Sequence, residues 1–312
     1  MVENDGWQGN GTDRVGVVGL GNIGIGLALS LRRAGFDVVG CDLRAERMAV
    51  LAAAGGRSAA TPSEVARSAR IVLSAVVNAQ ETEAVLFGPE GVAQTLAEGG
   101  VFVSCATMNP DAAKGLAERL EEAGKPLYLD APVSGGPQRA ADGQLTVLAS
   151  GKQGAFRAAR EVLGAVSSKV YELGESPGQA SAFKMVNQLL AGVHIAAAGE
   201  AMAFAARHGL DLRKVYDVIV ASAGNSWMFE NRVPHLLEGD YAPRSSVDIF
   251  VKDLGIIEDM ARTAKFPAPV AAAALQMFLM ASGAGMGAED DISVARVYAQ
   301  ITSTPLPDKV SV

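Results

Sequence analysis

Apolar residues in the first half of the chain fall in short, nearly unbroken runs at 15–19, 38–42, 71–77, 101–104, 127–130 and 145–150. Runs of this length without polar alternation read as strands covered on both faces, as in a parallel sheet. The stretches between them carry helical spacing and start signals. Thr61-Pro62 and Asn109-Pro110 each place a capping side chain before a proline at the first helical position. Strands alternating with helices predict an α/β fold with a doubly wound parallel sheet. One more strand is predicted at 170–173, and then the pattern changes. From Ser176 onward only helical periodicity remains. A first helix is expected over 176–208, stopped by Gly209, with others near 211–222, 246–265, 267–282 and 291–301. The first is apolar almost all round, so it is expected to be buried against its own chain and a partner copy.

Composition narrows the picture. A chain of 312 residues implies two domains, because single cores rarely grow past ~250–300 residues. Mixed charges on 20% of the residues fit a globular protein, and a net charge of −7 with no basic stripe disfavours nucleic acid. Cys41 and Cys105 end separate predicted strands, so no disulfide is expected and a reducing cytoplasm is the default. Residues 1–13 are polar and read as a flexible tail, not a signal peptide. The most apolar window, 185–206, contains Asn187, Gln188, His194 and Glu200, each expensive in lipid. A buried helix is expected there, and no membrane insertion.

The first predicted strand runs into GLGNIG, residues Gly19, Leu20, Gly21, Asn22, Ile23 and Gly24, at the start of a helix. Gly19 allows a tight turn, Gly21 lets the backbone approach a pyrophosphate, and Gly24 lets helix and strand pack closely. The second strand ends at Asp42, eighteen residues past Gly24, where an acid bonds the ribose hydroxyls of NAD. This predicts a Rossmann domain. A carboxylate at Asp42 repels the 2′-phosphate of NADP, so NAD is the expected cofactor; Arg44, two residues on, keeps NADP open.

Two lysines stand out. Lys184 shares a helical face with Asn187 and Gln188, in a stretch otherwise rich in Ala, Val and Leu. Desolvation of such an ammonium lowers its pKa toward working pH, which suits it to exchange a proton with a hydroxyl. Lys252 shares a face with Ile249 and Ile256 and needs an anionic or dipolar partner. A plain surface pair with Asp248 or Asp253 is its alternative. Ser134-Gly135-Gly136 follows the strand ending at Asp130 and offers backbone N–H groups suited to a carboxylate; Asp130 itself reads as structural. His194, His208 and His235, the last in a loop-like stretch, have no metal-ligand spacing, and no metal is expected.

Four segments resemble the β-hydroxyacid dehydrogenases, the group that includes 3-hydroxyisobutyrate dehydrogenase and tartronate semialdehyde reductase. They are GLGNIG at 19–24, DAPVSGGPQRAADG at 130–143, GESPGQASAFKMVNQLL at 174–190 and KDL at 252–254. AGNSWMFENR at 223–232 and VDIFVKDLG at 247–255 resemble members that act on L-threonate. The resemblance implies hydride transfer from the C2 hydroxyl of a short sugar acid to NAD, giving a 2-oxo acid. It makes Lys184 the general acid/base and Asn187 the group that orients the lysine or the substrate. Ser134, Gly135 and Gly136 would take the substrate's carboxylate and hydroxyl. Val77, Ala106 and Lys252 would line the cofactor. Asn225, Ser226 and Trp227 either line the substrate pocket or start a helix, with Ser226 as cap and Trp227 in the core.

Two departures from the family pattern show. Gln188 stands where a second Asn is usual, and Ser104-Cys105-Ala106-Thr107 replaces the usual Ser-Thr. Tartronate semialdehyde and 3-hydroxyisobutyrate are the alternative substrates, and a catalytically silent NAD-binding sensor is the alternative class. The organisation expected is a tail over 1–13, a dinucleotide-binding domain over 14–175 and an all-helical substrate and oligomerisation domain over 176–312. The molecule is expected to be a homo-oligomer, a dimer or tetramer, acting on a small hydroxyacid.

Overall fold

The computed structural model describes residues 14–123 and 127–308; the tail read over 1–13 lies outside the described residues. The strands are β1 (Arg14–Val18), β2 (Asp37–Cys41), β3 (Arg57–Ser58), β4 (Ile71–Ser74), β5 (Val101–Ser104), β6 (Leu127–Asp130), β7 (Val133–Ser134), β8 (Leu145–Gly151) and β9 (Ser167–Glu172). They lie in the order β3-β2-β1-β4-β5-β6-β8-β7, with β9 beside β8. Between them run α1 (Asn22–Arg33), α2 (Ala45–Ala53), α3 (Pro62–Ser68), α4 (Ala79–Phe87), α5 (Pro110–Glu122), α6 (Gly136–Asp142) and α7 (Gln153–Val166).

The first six strands in chain order pair in parallel. Strand order reverses between β1 and β4, and open α/β sheets bind ligands at such a reversal. Apolar residues cover both faces of the sheet. Leu27, Leu31 and Leu163 pack on one side with Val15 and Val17, and Val65, Leu86 and Leu116 on the other with Phe102. Two expected helix starts take the expected form: the Thr61 hydroxyl accepts from the Glu64 amide, and the Asn109 side chain from that of Asp111.

The sheet is not parallel throughout, as expected from the apolar runs. β8 is antiparallel to both β6 and β7. The link from β6 to β8 carries the two-residue β7 and, as its one helix, the seven-residue α6, about 10 Å long. It turns back at the same edge of the sheet instead of crossing its face. The two-residue strands β3 and β7 were not expected either; two residues carry no periodicity.

The remaining elements are helical: α8 (Gln179–Arg207), α9 (Leu212–Val220), α10 (Trp227–Leu237), α11 (Val247–Thr263), α12 (Pro269–Ala281) and α13 (Val294–Thr302). The chain packs as two compact units, the first closing at Lys184 and the second opening at Met185. In the second, Gly192 of α8 lies against Leu254 of α11 and Gly199 against Val294 of α13, which lets the backbones approach closely. Phe250, Leu254 and Phe278 fill that core. Gly209 takes φ +70° and ends α8.

One expectation for this region is corrected: His235 lies in α10, not in a loop. Within the single chain α8 is buried on part of its surface, and Phe183, Val186 and Leu190 are 55%, 64% and 50% exposed. Its apolar composition is uniform, but only the face carrying the glycines packs inward. By length and composition α8 and the helical run Pro269–Met286 are both apolar enough to cross a membrane. Half of that window of α8 is buried inside the fold, as in the core helix of a globular protein.

Candidate active site

GLGNIG lies at the strand-order reversal. The Gly19 amide donates to the Cys41 carbonyl at 2.9 Å and the Ala75 amide to the Val18 carbonyl at 2.8 Å. The turn is thereby pinned to the ends of β2 and β4. Each glycine has its own reason. Gly19 takes φ +84°, which disfavours any side chain. A Cβ on Gly24 would lie 1.8 Å from the Gly19 carbonyl oxygen, so helix and turn close only on a hydrogen. A Cβ on Gly21 would meet nothing within 4 Å: the backbone there faces open space. Gly21 is also the N-cap of α1 and has no side chain with which to cap it, so the helix start is left to an anion. These features fit a dinucleotide pyrophosphate.

Asp42 is tied into the same turn. Its carboxylate accepts from the Leu20 amide at 2.6 Å and the Arg44 amide at 2.9 Å. The Arg44 side chain stands 3.6 Å from it. Arg47 donates to the Asn22 side chain at 3.2 Å, linking α2 to the first turn of α1. Val77 is exposed beyond β4, its amide donating to Glu81. Ala106 is 1% exposed and packs within the core, while Thr107 beside it is half-buried.

Lys184 is 6% exposed, and its Nζ donates to the Val133 carbonyl at 2.8 Å. That carbonyl immediately precedes Ser134, so the lysine and the Ser134-Gly135-Gly136 segment are neighbours. Gly135 and Gly136 take φ +136° and +79°, and α6 begins at Gly136. α6 packs on the helix that follows GLGNIG: a Cβ on Gly26 would lie 2.7 Å from that of Ala140. The ammonium, the glycine pair and the dinucleotide turn therefore belong to one packed unit.

A second polar chain occupies the helical unit. Asn187 donates to Gln188 at 2.9 Å, Gln188 donates to Asp253, and Lys252 pairs with the same Asp253 carboxylate. Asp253 is 1% exposed. Sequence reading treated it only as a surface partner for Lys252; its place on the buried face with Phe250, Leu254 and Ile257 was the available signal. The structure gives Gln188 a purpose as well. Its longer side chain spans to Asp253.

The stretch 225–227 resolves in part as a helix start. The Ser226 hydroxyl accepts from the Phe229 amide at 3.0 Å and caps α10. Asn225 donates to the Val220 carbonyl at 3.2 Å, closing the turn after α9. Trp227 is 49% exposed and is not a core residue.

Cys41 and Cys105 are unpaired and buried. Burial above all, helped by the neighbouring Asp42 and Asp130 carboxylates, pushes their thiols up to about 11 and about 12. Neither is a nucleophile at neutral pH. Among the described residues no group of three or more His, Cys, Asp or Glu is arranged to hold a metal.

Comparison with known proteins finds matches over most of the chain. Residues 14–174 match a family described as the NAD binding domain of 6-phosphogluconate dehydrogenase. Residues 178–298 match one described as NAD-binding of NADP-dependent 3-hydroxyisobutyrate dehydrogenase. An L-threonate dehydrogenase of Cupriavidus necator is 55% identical over 91% of this chain and 95% of its own. A crystal structure of a 3-hydroxyisobutyrate dehydrogenase from Salmonella typhimurium is 48% identical, with a TM-score of 0.87 over 91% of this chain and 99% of that one. A complex of Psf3 with NADP+ and 2-OPP gives a TM-score of 0.84 at 25% identity, over 91% of this chain and 99% of that chain.

Proposed function

The chain belongs to the 3-hydroxyisobutyrate dehydrogenase family and is an NAD(P)-dependent hydroxyacid dehydrogenase; on that premise we propose that it oxidises a short sugar acid of the L-threonate kind at its C2 hydroxyl, with NAD as acceptor. The observation that carries the reading is the buried Lys184 ammonium held on the Val133 carbonyl, one residue before Ser134. Bound in the Gly19–Gly24 turn, the nicotinamide cofactor supplies the hydride acceptor. Gly21 and the start of α1 hold the pyrophosphate, and Asp42 holds the ribose. The Ser134 hydroxyl and the Gly135 and Gly136 amides anchor the substrate carboxylate. That fixes the C2 hydroxyl within reach of Lys184, which takes its proton as the C–H bond breaks and returns it in the reverse direction. The names of the relatives support L-threonate as the substrate. The name given to the Salmonella typhimurium structure favours 3-hydroxyisobutyrate as a second reading.

The test is turnover on L-threonate, 3-hydroxyisobutyrate and, in reverse, tartronate semialdehyde, each with both dinucleotides, for the wild type and Lys184→Ala. The highest kcat/KM is expected for L-threonate with NAD. Lys184→Ala should lose about 10²- to 10⁴-fold in kcat while still binding NADH. Binding of NAD without reduction by any three- or four-carbon hydroxyacid would leave a sensor, not this enzyme.

Assembly and location follow from the same reading. Phe183, Val186 and Leu190, spaced three and four residues apart, form one exposed stripe on α8. Its burial in a homo-oligomer removes that apolar surface from water. Val186→Glu should shift the sedimentation coefficient toward that of a monomer. Two buried unpaired cysteines suit the reducing cytoplasm.

A further inference from the structure

Asp130 is a fully buried carboxylate with an unusual set of donors. One oxygen accepts from the amides of Gly178 and Ser181, each at 2.9 Å, and the other accepts from the Ser181 hydroxyl at 2.8 Å. Ser150 extends the arrangement: its hydroxyl lies 3.5 Å from Asp130 and accepts from the Ala180 amide at 2.9 Å. These amides belong to the turn that opens α8, the helix carrying Lys184. Helix starts are ordinarily capped by a side chain from the adjoining sequence. Here the cap comes from the end of β6, 51 residues before Ser181. A local cap would satisfy the same amides without fixing where the helix stands, whereas this one ties α8 to the sheet.

A second tie repeats the offset. Three residues past Asp130, the Val133 carbonyl accepts from Lys184, three residues past Ser181 and again 51 positions away. The segment 130–133 and the helical turn 181–184 are thus joined at both ends, and Ser134 follows directly. Burying a carboxylate is unfavourable unless its donors compensate. Burial pushes the Asp130 carboxyl up and the Ser181 and Gly178 donors pull it down.

We propose that Asp130 and Ser181 are positioning residues for Lys184, setting where its ammonium stands relative to the substrate segment that begins at Ser134. The proposal rests on the reading of Lys184 as general acid/base. Neither residue touches substrate or cofactor; each acts through the lysine.

The experiment compares Ser181→Ala, Asp130→Asn and Asp130→Ala with the wild type and Lys184→Ala. For each it measures kcat and KM for L-threonate, the pH profile of kcat, NADH affinity by fluorescence, and Tm. Asp130→Ala should lose roughly 10- to 100-fold in kcat, as misplacement of a catalytic group by about 1 Å does, and its kcat profile should be displaced along the pH axis. NADH affinity should stay within about twofold of the wild type, since GLGNIG is untouched. Ser181→Ala should show the same signature at smaller size. Asp130→Asn should recover much of kcat, because its carbonyl oxygen still accepts the two amides.

Wild-type kcat and pH profile in both Ser181→Ala and Asp130→Ala would overturn the proposal, and Ser181→Ala decides the matter if Asp130→Ala does not fold. A kcat loss that runs in step with lowered Tm and weakened NADH binding overturns it too, since that is what a merely structural residue gives. Full turnover by Lys184→Ala overturns the underlying reading and the proposal with it. An inactive Lys184→Ala beside unperturbed Ser181→Ala and Asp130→Ala removes the positioning role alone.

Discussion

Gly21 and Gly24 stand three residues apart and answer to different demands. Space is open at Gly21, where an added Cβ meets nothing within 4 Å, and absent at Gly24, where it would sit 1.8 Å from the Gly19 carbonyl oxygen. Gly21→Ala should therefore fold with an unchanged Tm and lose NAD affinity, because its methyl occupies the approach of the pyrophosphate. Gly24→Ala should destabilise the cofactor-free protein by about 1–3 kcal/mol, as overpacking does, and lower its Tm. Equal effects of the two on Tm would contradict this division. Asp42 carries a second prediction at the same scale. Its carboxylate shapes the turn, through the Leu20 amide, and on the proposed reading would also meet the ribose. Asp42→Ala should weaken NAD binding by about 10- to 100-fold, the worth of one charged hydrogen bond. The same change removes the repulsion of a 2′-phosphate beside Arg44, so the ratio of NAD to NADP affinity should fall. Titrations with both dinucleotides read this directly, and an unchanged ratio would dismiss the specificity role. These residues were legible in the sequence because their constraint is local: glycine spacing and an acid at a strand end are visible in one dimension. The Asp130–Ser181 and Gln188–Asp253 pairs were not, since partners 51 and 65 positions apart leave no periodic trace.

Elements were legible where their burial pattern is uniform. β5 and β6 have the expected limits because every residue of each, or all but the first, is buried. The expected run at 71–77 overshot β4 by three residues, since the apolar Ala75, Val76 and Val77 belong to the turn leading to α4. α10 was visible only as a possible start at Ser226, because Pro234 lies inside it and proline ordinarily breaks a helix. The fold accommodates that proline through a specific contact. Pro234 cannot donate to the Glu230 carbonyl one turn back, and the Tyr216 hydroxyl, from α9, donates to that carbonyl at 3.1 Å instead. The Tyr216 and Phe229 rings stack beside it, 6.1 Å between centroids. Tyr216→Phe keeps the ring and leaves the carbonyl to water. It should cost about 1 kcal/mol and lower Tm by a few degrees. If the hydroxyl is what tolerates the proline, Pro234→Ala should make Tyr216→Phe nearly neutral. Additive effects in that double-mutant cycle would refute the link.

At the scale of the whole molecule, stability should depend on pH through a buried pair of acids. Asp290 and Asp291 open the turn before α13, and both are fully buried. Asp291 pairs with Arg232 at 2.7 Å and Asp290 lies 3.3 Å from His235, so both reach α10. Burial pushes the Asp291 carboxyl from an ordinary 3.8 up to about 6; Arg232 opposes the shift, and the adjacent Asp290 adds to it. In the unfolded chain the group gives up its proton near the ordinary value, whereas the folded protein holds it to about pH 6. Its contribution to stability is therefore complete at the acid end, below the unfolded value. It falls as pH rises through the window between the two and is lost above about 6. Between pH 5 and pH 7.5 the loss is on the order of 1 kcal/mol, as a raised carboxyl on a single group implies. Other carboxylates titrate in the same range, so the wild-type curve alone does not isolate it. Asp291→Asn does, because the amide carries no proton to release. At pH 5 the wild-type carboxyl is itself neutral, so the variant should there differ from it only by the exchange of a hydroxyl for an amide. Toward pH 7.5 the wild type should lose that amount relative to the variant. Urea denaturation at the two pH values measures the difference. A wild type that gains on the variant as pH rises would mean that the Arg232 pair holds Asp291 ionised, with its carboxyl below the ordinary value and the charge of the pair dominant over burial.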